Sequence, residues 1–185
     1  MKKSEKNLVQ CSSIENNFIT SNSTEYSSVE QTYFVYETIF GNMVIVSDGS
    51  AVTAAFIENF KNPSGKKAAD KITDRAAKQL EEYSAGKRRQ FDLPLRPSGT
   101  PFQQTVWNGL ISIPYGETRS YKQVAQLVGC PDGSRAVGLA NNKNPIVIII
   151  PCHRVIGSDG SLTGYAYGLE MKKQLIGLEE KFKGV

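Results

Sequence analysis

The chain has 185 residues, a formal net charge of +4 at neutral pH and 22% charged residues. A chain of this length forms one domain or two small ones and buries about 70% of the surface of the unfolded chain. Its composition is that of a globular protein, and no apolar run approaches the roughly 20 residues of a membrane-spanning helix. No hydrophobic segment follows Met1-Lys2-Lys3, so we predict no signal peptide and expect a cytoplasmic protein.

The cysteines and the histidine limit the possible chemistry. Cys11, Cys130 and Cys152 are odd in number and widely spaced, which predicts no disulfide framework. With one histidine and no CxxC motif, the sequence also predicts no metal site, and nothing in it calls for another cofactor. The small positive charge permits nucleic-acid binding without requiring it.

The first half of the chain predicts a polar extension followed by a small domain. Residues 1–31 are rich in Ser, Asn, Thr and Glu and show no hydrophobic period, which is typical of a mobile or loosely packed extension. Residues 32–95 predict an α/β domain with a structural role. Its expected elements are strands at residues 33–40, 43–46 and Val52–Ile57, an amphipathic helix over residues 66–83, and a further strand at residues 91–95.

Helix signals become stronger in the second half, which we interpret as a second domain over residues 100–185. Thr100 is a plausible N-cap with Pro101 at the first helical position. Ser120 begins another helix, and Gln123 completes a capping box. A third helix is predicted over residues 135–142 and a last one over about Leu169–Phe182.

Two of these helices, joined by a short glycine-containing turn, match a helix-turn-helix, although many such hairpins bind nothing. The second helix of the pair exposes small residues beside Arg135, which would allow close approach to a phosphate backbone. Ala136, Gly138 and Ala140 could instead pack against a neighbouring helix. Because few long side chains are present to read bases, we expect docking that does not depend on DNA sequence.

The most informative stretch is residues 146–156. Five consecutive Ile and Val residues predict a strand buried on both faces, which Pro151 ends. Cys152 and His153 would then stand at the end of a rigid strand, a suitable place for a nucleophile. A cysteine in this position is more often a small core residue. Neighbouring side chains in a strand also face opposite ways, so a Cys–His pair would need a bend or a bridging water.

A carboxylate near the end of the last helix gives a weaker signal. The helix dipole disfavours Glu179 at that position, which hints at a buried partner.

With these segments in place, the sequence resembles the O6-alkylguanine-DNA alkyltransferases, also called methylated-DNA–protein-cysteine methyltransferases. The resemblance covers about residues 32–182 and is densest from residue 100. The matching segments are IPCHRV at residues 150–155, RAVG at 135–138, NP at 144–145, TPFQ at 100–103, IPYGE at 113–117, and GY and GLE within 164–170. The implied fold is a ribonuclease-H-like α/β domain followed by a mostly helical domain, with the short buried strand ending at the reactive cysteine.

The resemblance implies a single-use reaction. Guanine alkylated on O6 is flipped out of duplex DNA, and its alkyl group moves irreversibly to Cys152. A free thiol is mostly protonated at neutral pH, and in the family the adjacent histidine, here His153, takes its proton through a water. Glu179 would orient His153, and Asn144 would brace the turn around Cys152.

The resemblance also implies contacts with the substrate. Arg135 would fill the space of the flipped base, and Ala136 and Ala140 would permit a close fit to the minor groove. Tyr121 would crowd a phosphate and donate a proton to the leaving guanine. Val147, Val155 and Tyr165 would line the base pocket, with the backbone carbonyls of Cys152 and Val155 accepting from the guanine amino group.

Departures from the family pattern are few. Tyr167 beside the pocket could restrict large O6 substituents, and Met171 stands where a basic residue is common. The zinc ligands of some relatives are absent, and Cys152 distinguishes the chain from alkyltransferase-like proteins that lack it. The expected partner is damaged double-stranded DNA, bound by a monomer.

Three alternatives remain open. The first is a protein that marks alkylated guanine without repairing it. The second is a thiol hydrolase or acyltransferase that uses Cys152 and His153. The third is a helix-turn-helix regulator in which Cys152 senses redox state.

Overall fold

A four-stranded sheet and one helix form the N-terminal domain of the computed structural model, which describes residues 30–184. The strands are β1 (Thr32–Thr38), β2 (Gly41–Ser47), β3 (Val52–Ile57) and β4 (Lys66–Lys67), in the order β3-β2-β1-β4. β1 and β2 form the predicted hairpin, β3 pairs antiparallel with β2, and β4 lies parallel to β1. The predicted polar extension falls almost entirely on residues 1–29, outside the described range.

Helix α1 (Lys71–Ser84) begins five residues later than predicted. Asp70 ends the preceding extended segment, because its side chain accepts from the backbone N–H groups of Ile72 and Thr73 and so caps the helix there. Lys66 and Lys67, expected in the first helical turn, instead form β4.

The predicted strand at residues 91–95 is also wrong. A single isolated bridge joins Leu95 to Val52. The side chain of Gln79 takes both backbone groups of Asp92, donating to its carbonyl and accepting from its N–H. Pro94 offers no N–H to a sheet, so pairing could not extend through it.

The C-terminal domain is mostly helical, with α2 (Pro101–Ile111), α3 (Tyr121–Leu127), α4 (Ser134–Asn142) and α5 (Leu169–Phe182). Thr100 and Ser120 form the predicted N-caps, each completed by a glutamine three residues later. Helices α3 and α4 are the predicted helix-turn-helix. The short strands β5 (Arg119–Ser120) and β6 (Val155–Ile156) pair in parallel behind it.

Residues 146–150 are fully buried but do not form the predicted strand. The chain turns at Ile148, whose φ is 69°, a conformation that β-branched residues rarely adopt. Asn144 closes this turn, because its side chain donates to the Ile150 carbonyl and accepts from the Ile146 N–H. The apolar run reflects the burial of these residues. Five consecutive apolar residues are equally compatible with a buried strand and a buried turn.

The two domains share one hydrophobic core. Leu80 and Tyr83 from α1 belong to the same buried cluster as Trp107 from α2 and Leu175 from α5. Residues 145–147 add a further link, since the Pro145 carbonyl and the Val147 N–H both bond to Ala55 of β3. The two-domain α/β class is confirmed, whereas the boundaries at residues 32–95 and 100–185 stay predictions. Within residues 30–184, no helix is both long and apolar enough to cross a membrane.

Candidate active site

Cys152 opens a single turn of 3₁₀ helix (Cys152–Arg154) directly after Pro151. Its side chain is buried, and the Asn144 amide donates a hydrogen bond to Sγ at a distance of 3.0 Å. The same amide nitrogen donates to the Ile150 carbonyl at 2.8 Å, which fixes its direction. The structure therefore places Asn144 against the thiol itself as well as across the turn.

Burial dominates the acidity of this thiol. Loss of water raises the pKa of Cys152, while the Asn144 hydrogen bond and the positive charge of Lys172 act in the opposite direction. The free protein therefore holds Cys152 as a thiol, and a base must take its proton.

His153 is completely buried, and its Nε2 lies 2.8 Å from Oε1 of Glu179. The two residues that were expected to act together, His153 and Glu179, are therefore in direct contact. Its other nitrogen, Nδ1, is buried and has no hydrogen-bond partner among the described residues. Because Glu179 accepts from Nε2–H, Nδ1 is left as the unprotonated acceptor. Burial lowers the pKa of His153 despite the bond to Glu179, so the ring is neutral and able to accept a proton.

Glu179 is the centre of a buried polar cluster. Arg154 donates to it from Nε at 3.0 Å and Nη2 at 2.9 Å, and the Gly116 N–H donates at 2.9 Å. The Tyr83 hydroxyl donates at 2.6 Å. Burial raises the pKa of this carboxyl, but the hydrogen bonds from His153 and Arg154, the charge of Arg154 and that of His153 once it is protonated outweigh burial and leave the pKa lowered. Glu179 is therefore ionised in the folded protein.

A small, narrow cleft opens beside Cys152. It is lined by Asn141, Asn142, Asn144, Val147, Cys152 and residues 164–167. Val147 and Tyr165 therefore lie where the pocket was expected. Val155 is buried in the core and does not line this cleft, and the carbonyl of Cys152 already accepts from Asn141 and from the Val155 N–H.

Tyr165 lines the cleft close to the thiol. Its hydroxyl is buried and has no well-formed hydrogen bond among the described residues. It is nevertheless close enough to Cys152 for each group to influence the pKa of the other, and burial raises the pKa of Tyr165 well above its ordinary value.

Tyr121 and Lys172 hold the rim of the cleft. The Tyr121 hydroxyl donates to the Thr163 and Gly164 carbonyls at 3.2 and 3.3 Å, and Lys172 Nζ donates to the Thr163 carbonyl at 2.6 Å. Lys172 is buried, and loss of water lowers its pKa to about 8 although Cys152 opposes this. Lys172 was missed in the sequence, although it lies seven residues before Glu179 on the same face of α5.

The exposed face of α4 carries Arg135, Ala136 and Leu139, the last 71% exposed. Ala140 was predicted on this face, but the structure buries it against α2, where its carbonyl accepts from Trp107 Nε1 at 3.0 Å. The alternative of helix packing is therefore correct for Ala140. Leu139 was missed, although its spacing of four from Arg135 places it on the same face.

Of the departures from the family pattern, Tyr167 lines the cleft and Met171 packs against the core. The Tyr167 ring lies 4.4 Å from the ring of Phe60 in the N-terminal domain and 5.9 Å from that of Tyr165. Tyr167 is therefore held in place from both sides.

No group of three His, Cys, Asp or Glu side chains lies close enough to hold a metal within residues 30–184. The reactive groups of the site are one thiol, one neutral imidazole, one ionised carboxylate and one buried lysine.

Comparison with known proteins places both domains. The family model described as the DNA-binding domain of 6-O-methylguanine DNA methyltransferase matches residues 101–181. The model described as its ribonuclease-like domain matches residues 32–97.

Curated relatives are similar over most of this range. A methylated-DNA–protein-cysteine methyltransferase of Methanosarcina acetivorans is 46% identical over 151 residues, which cover 80% of this chain and 97% of that protein. The Methanosarcina barkeri protein of the same name is 65% identical over 105 residues, 57% of this chain and 66% of the relative, slightly less than two thirds of its length.

Solved structures of similar proteins cover the same two domains. A Mycobacterium tuberculosis OGT in complex with DNA has a TM-score of 0.78 and 42% identity, covering 82% of this chain and 94% of that one. An O6-methylguanine methyltransferase structure of the same organism has a TM-score of 0.76 and 43% identity, covering 82% of this chain and 93% of that one.

Proposed function

The chain belongs to the 6-O-methylguanine DNA methyltransferase family, and we propose that it repairs DNA by moving the alkyl group of O6-alkylguanine onto Cys152. Guanine is restored in this reaction, and the protein is consumed.

The connection between α4 and the nucleophile carries this proposal. Helix α4 presents Arg135 to solvent at one end, and Asn141 near its other end donates to the Cys152 carbonyl at 3.3 Å. Asn144, two residues beyond the helix, donates to the thiol. A helix suited to DNA thus holds the reactive group, an arrangement that a hydrolase of small esters does not need.

Proton removal follows from the state of His153. The neutral ring directs Nδ1 away from Glu179, and a water between Nδ1 and Sγ would carry the thiol proton to the ring. Glu179, already ionised, stabilises the imidazolium that forms. This route needs no direct contact between the Cys152 and His153 side chains.

The displacement then forms a bond between Sγ and the alkyl carbon and breaks the bond from that carbon to O6. The electron pair leaves with the guanine, which must gain a proton. Tyr121 at the rim of the cleft would supply this proton after its hydroxyl turns from the Thr163 and Gly164 carbonyls. The product is a thioether, which no group around Cys152 is equipped to hydrolyse, so each molecule acts once.

DNA recognition rests on the exposed face of α4. A base inside the stack cannot reach a thiol behind the helix, so the nucleotide must be flipped. Arg135 would occupy the vacated space while Ala136 permits close approach to the groove. Burial of Ala140 removes it from this contact.

One experiment tests the proposal. Reduced protein is incubated with duplex DNA containing O6-methylguanine, and the Cys152 peptide is analysed by mass spectrometry. We expect one methyl group per molecule on Cys152. The Cys152→Ala variant is the control, which should bind the lesion without accepting the group.

The rival functions give different results. A lesion-marking protein would bind the damaged duplex and leave Cys152 unmodified. A thiol hydrolase would turn over a small ester repeatedly without DNA, and a regulator would prefer a particular operator sequence. We further propose that the protein acts as a monomer, which sedimentation with and without duplex would test.

A further inference from the structure

A tyrosine hydroxyl of the N-terminal domain reaches the buried carboxylate of the candidate active site. Tyr83 of α1 is completely buried, and its hydroxyl donates to Glu179 Oε1 at 2.6 Å. This is the oxygen that lies 2.8 Å from His153 Nε2. One oxygen therefore receives both the histidine and a phenol that is 96 residues from Glu179 in sequence.

The phenol is held in one position. Its ring packs near Phe40, Phe91 and Tyr115, with centroid distances of 6.3, 5.5 and 5.9 Å. Burial, then the charge and hydrogen bond of Glu179, raise the pKa of Tyr83 far above its ordinary value. The hydroxyl therefore stays protonated at neutral pH, and toward Glu179 it acts as a donor.

We propose that Tyr83 is a positioning residue for the alkyl transfer, acting through Glu179 to set how readily His153 takes up the thiol proton. The inference rests on the proposed function and gives the N-terminal domain a part in the chemistry in addition to its structural role.

The direction of the effect follows from charge. Each donor to Oε1 draws electron density from the carboxylate and weakens its hold on a protonated His153. Removal of the Tyr83 hydroxyl leaves a more basic carboxylate, which stabilises imidazolium and raises the pKa of His153. A histidine that is already protonated cannot accept from the thiol, so the acid side of the rate profile should move to higher pH.

Other charged and titratable groups around the pair remain in place when this hydroxyl is removed. These groups are Arg154 in the 3₁₀ turn, Tyr115 in the segment before β5, and Lys172 in α5. A change confined to Tyr83 therefore reports on its own hydrogen bond.

The test uses the fact that His153 is the single histidine of the chain. Its ring titration can be followed by NMR without assignment ambiguity in the intact protein and in Tyr83→Phe. We expect the midpoint to rise by roughly half to one pH unit, because only part of the strength of a hydrogen bond to a carboxylate is passed on to His153. The acid limb of single-turnover transfer from O6-methylguanine should move by the same amount.

Tyr36→Phe is the matched control. It removes a tyrosine hydroxyl of the same domain, one bonded to Thr73 and Asp74, and should move neither midpoint. If Tyr83→Phe does not fold, 3-fluorotyrosine at position 83 replaces it. Its more acidic hydroxyl donates more strongly and should lower the His153 midpoint.

The outcomes separate the two proposals. A folded Tyr83→Phe with an unmoved His153 midpoint overturns the role of Tyr83, whatever the activity. Absence of transfer by the unmodified protein would instead overturn the proposed function, while the NMR result would still decide whether Tyr83 controls His153.

Discussion

The cluster around Glu179 and the exposed face of α4 differ in how many hydrogen-bonding groups they contain. In the cluster, both carboxylate oxygens receive donors, from Tyr83, Arg154, Gly116 and the ring of His153. The α4 face presents Arg135, an alanine and an exposed leucine, with few groups that could form a hydrogen bond to a base. Groups that perform chemistry are fixed by many contacts, whereas a surface that accepts any DNA sequence benefits from having few.

Glu179→Gln should cause the largest loss. Without the negative charge, Arg154 is buried without a counter-ion, and loss of one partner from such a pair typically costs about 3–5 kcal/mol of unfolding free energy. Urea unfolding at neutral pH measures this loss.

The pH dependence of that loss has a definite sign. The folded pKa of Glu179 is lowered to about 2 from its ordinary 4.5. Its stabilising effect is therefore complete above about pH 4.5 and lost as pH falls toward 2. The difference in unfolding free energy between the original protein and Glu179→Gln should become smaller as the pH falls over that range. A difference that stays constant would contradict an ionised Glu179 in the cluster.

Arg135→Ala tests the α4 face. We expect the rate on duplex O6-methylguanine to fall at least about tenfold, roughly 1.4 kcal/mol, because the space of the flipped base stays unfilled. Transfer from free O6-methylguanine, which needs no flipping, should be unchanged. Equal losses on the two substrates would mean that Arg135 acts on the cleft and not on DNA.

Asn144→Ala lies between the two regions and should have a moderate effect. Asn144 donates to the thiol and lowers its pKa, so its removal should raise the pKa of Cys152 by less than about one unit, as expected for a single hydrogen bond. The pH dependence of the reaction with iodoacetamide measures this in a Cys11→Ser, Cys130→Ser background. Asn62→Ala, an exposed change in the N-terminal domain, is the control.

Leu139→Ala should have the smallest effect. Its side chain is 71% exposed, so the unfolding free energy should change by less than about 0.5 kcal/mol. Affinity for duplex DNA should fall a few-fold, about 1 kcal/mol, because an apolar contact with the groove is lost. Fluorescence anisotropy measures it, with Ile39→Ala, 70% exposed in the other domain, as the control. Unchanged affinity would remove Leu139 from the interface.

Local signals in the sequence were reliable where one residue decides the structure. Thr100 and Ser120 start their helices as predicted, because a cap depends on side chains within three positions. The predicted strand at residues 146–150 was wrong because the turn there is imposed by the hydrogen bonds of Asn144 and by pairing with the edge of β3. Hydrophobic period carries no information about either contact.

The candidate site divides in the same way. Cys152, His153 and Glu179 could be proposed from motif and resemblance, and the structure brings His153 and Glu179 into contact. Tyr83 carried no signal, because a tyrosine on the apolar face of α1 is an ordinary core residue until Glu179 lies beside it. Ala140 was misplaced because a small residue suits a groove and a helix contact equally well.

The link between residues 145–147 and β3 has a consequence for the solubility of the protein. β3 is the last strand of its sheet, and its outer backbone groups are covered by residues 94–96 and 145–147. An uncovered edge strand can pair with another chain and begin aggregation. The segment that leads to Cys152 therefore also covers the β3 edge of the sheet. Any change that separates this segment from Ala55 exposes the backbone donors and acceptors of β3 to neighbouring molecules.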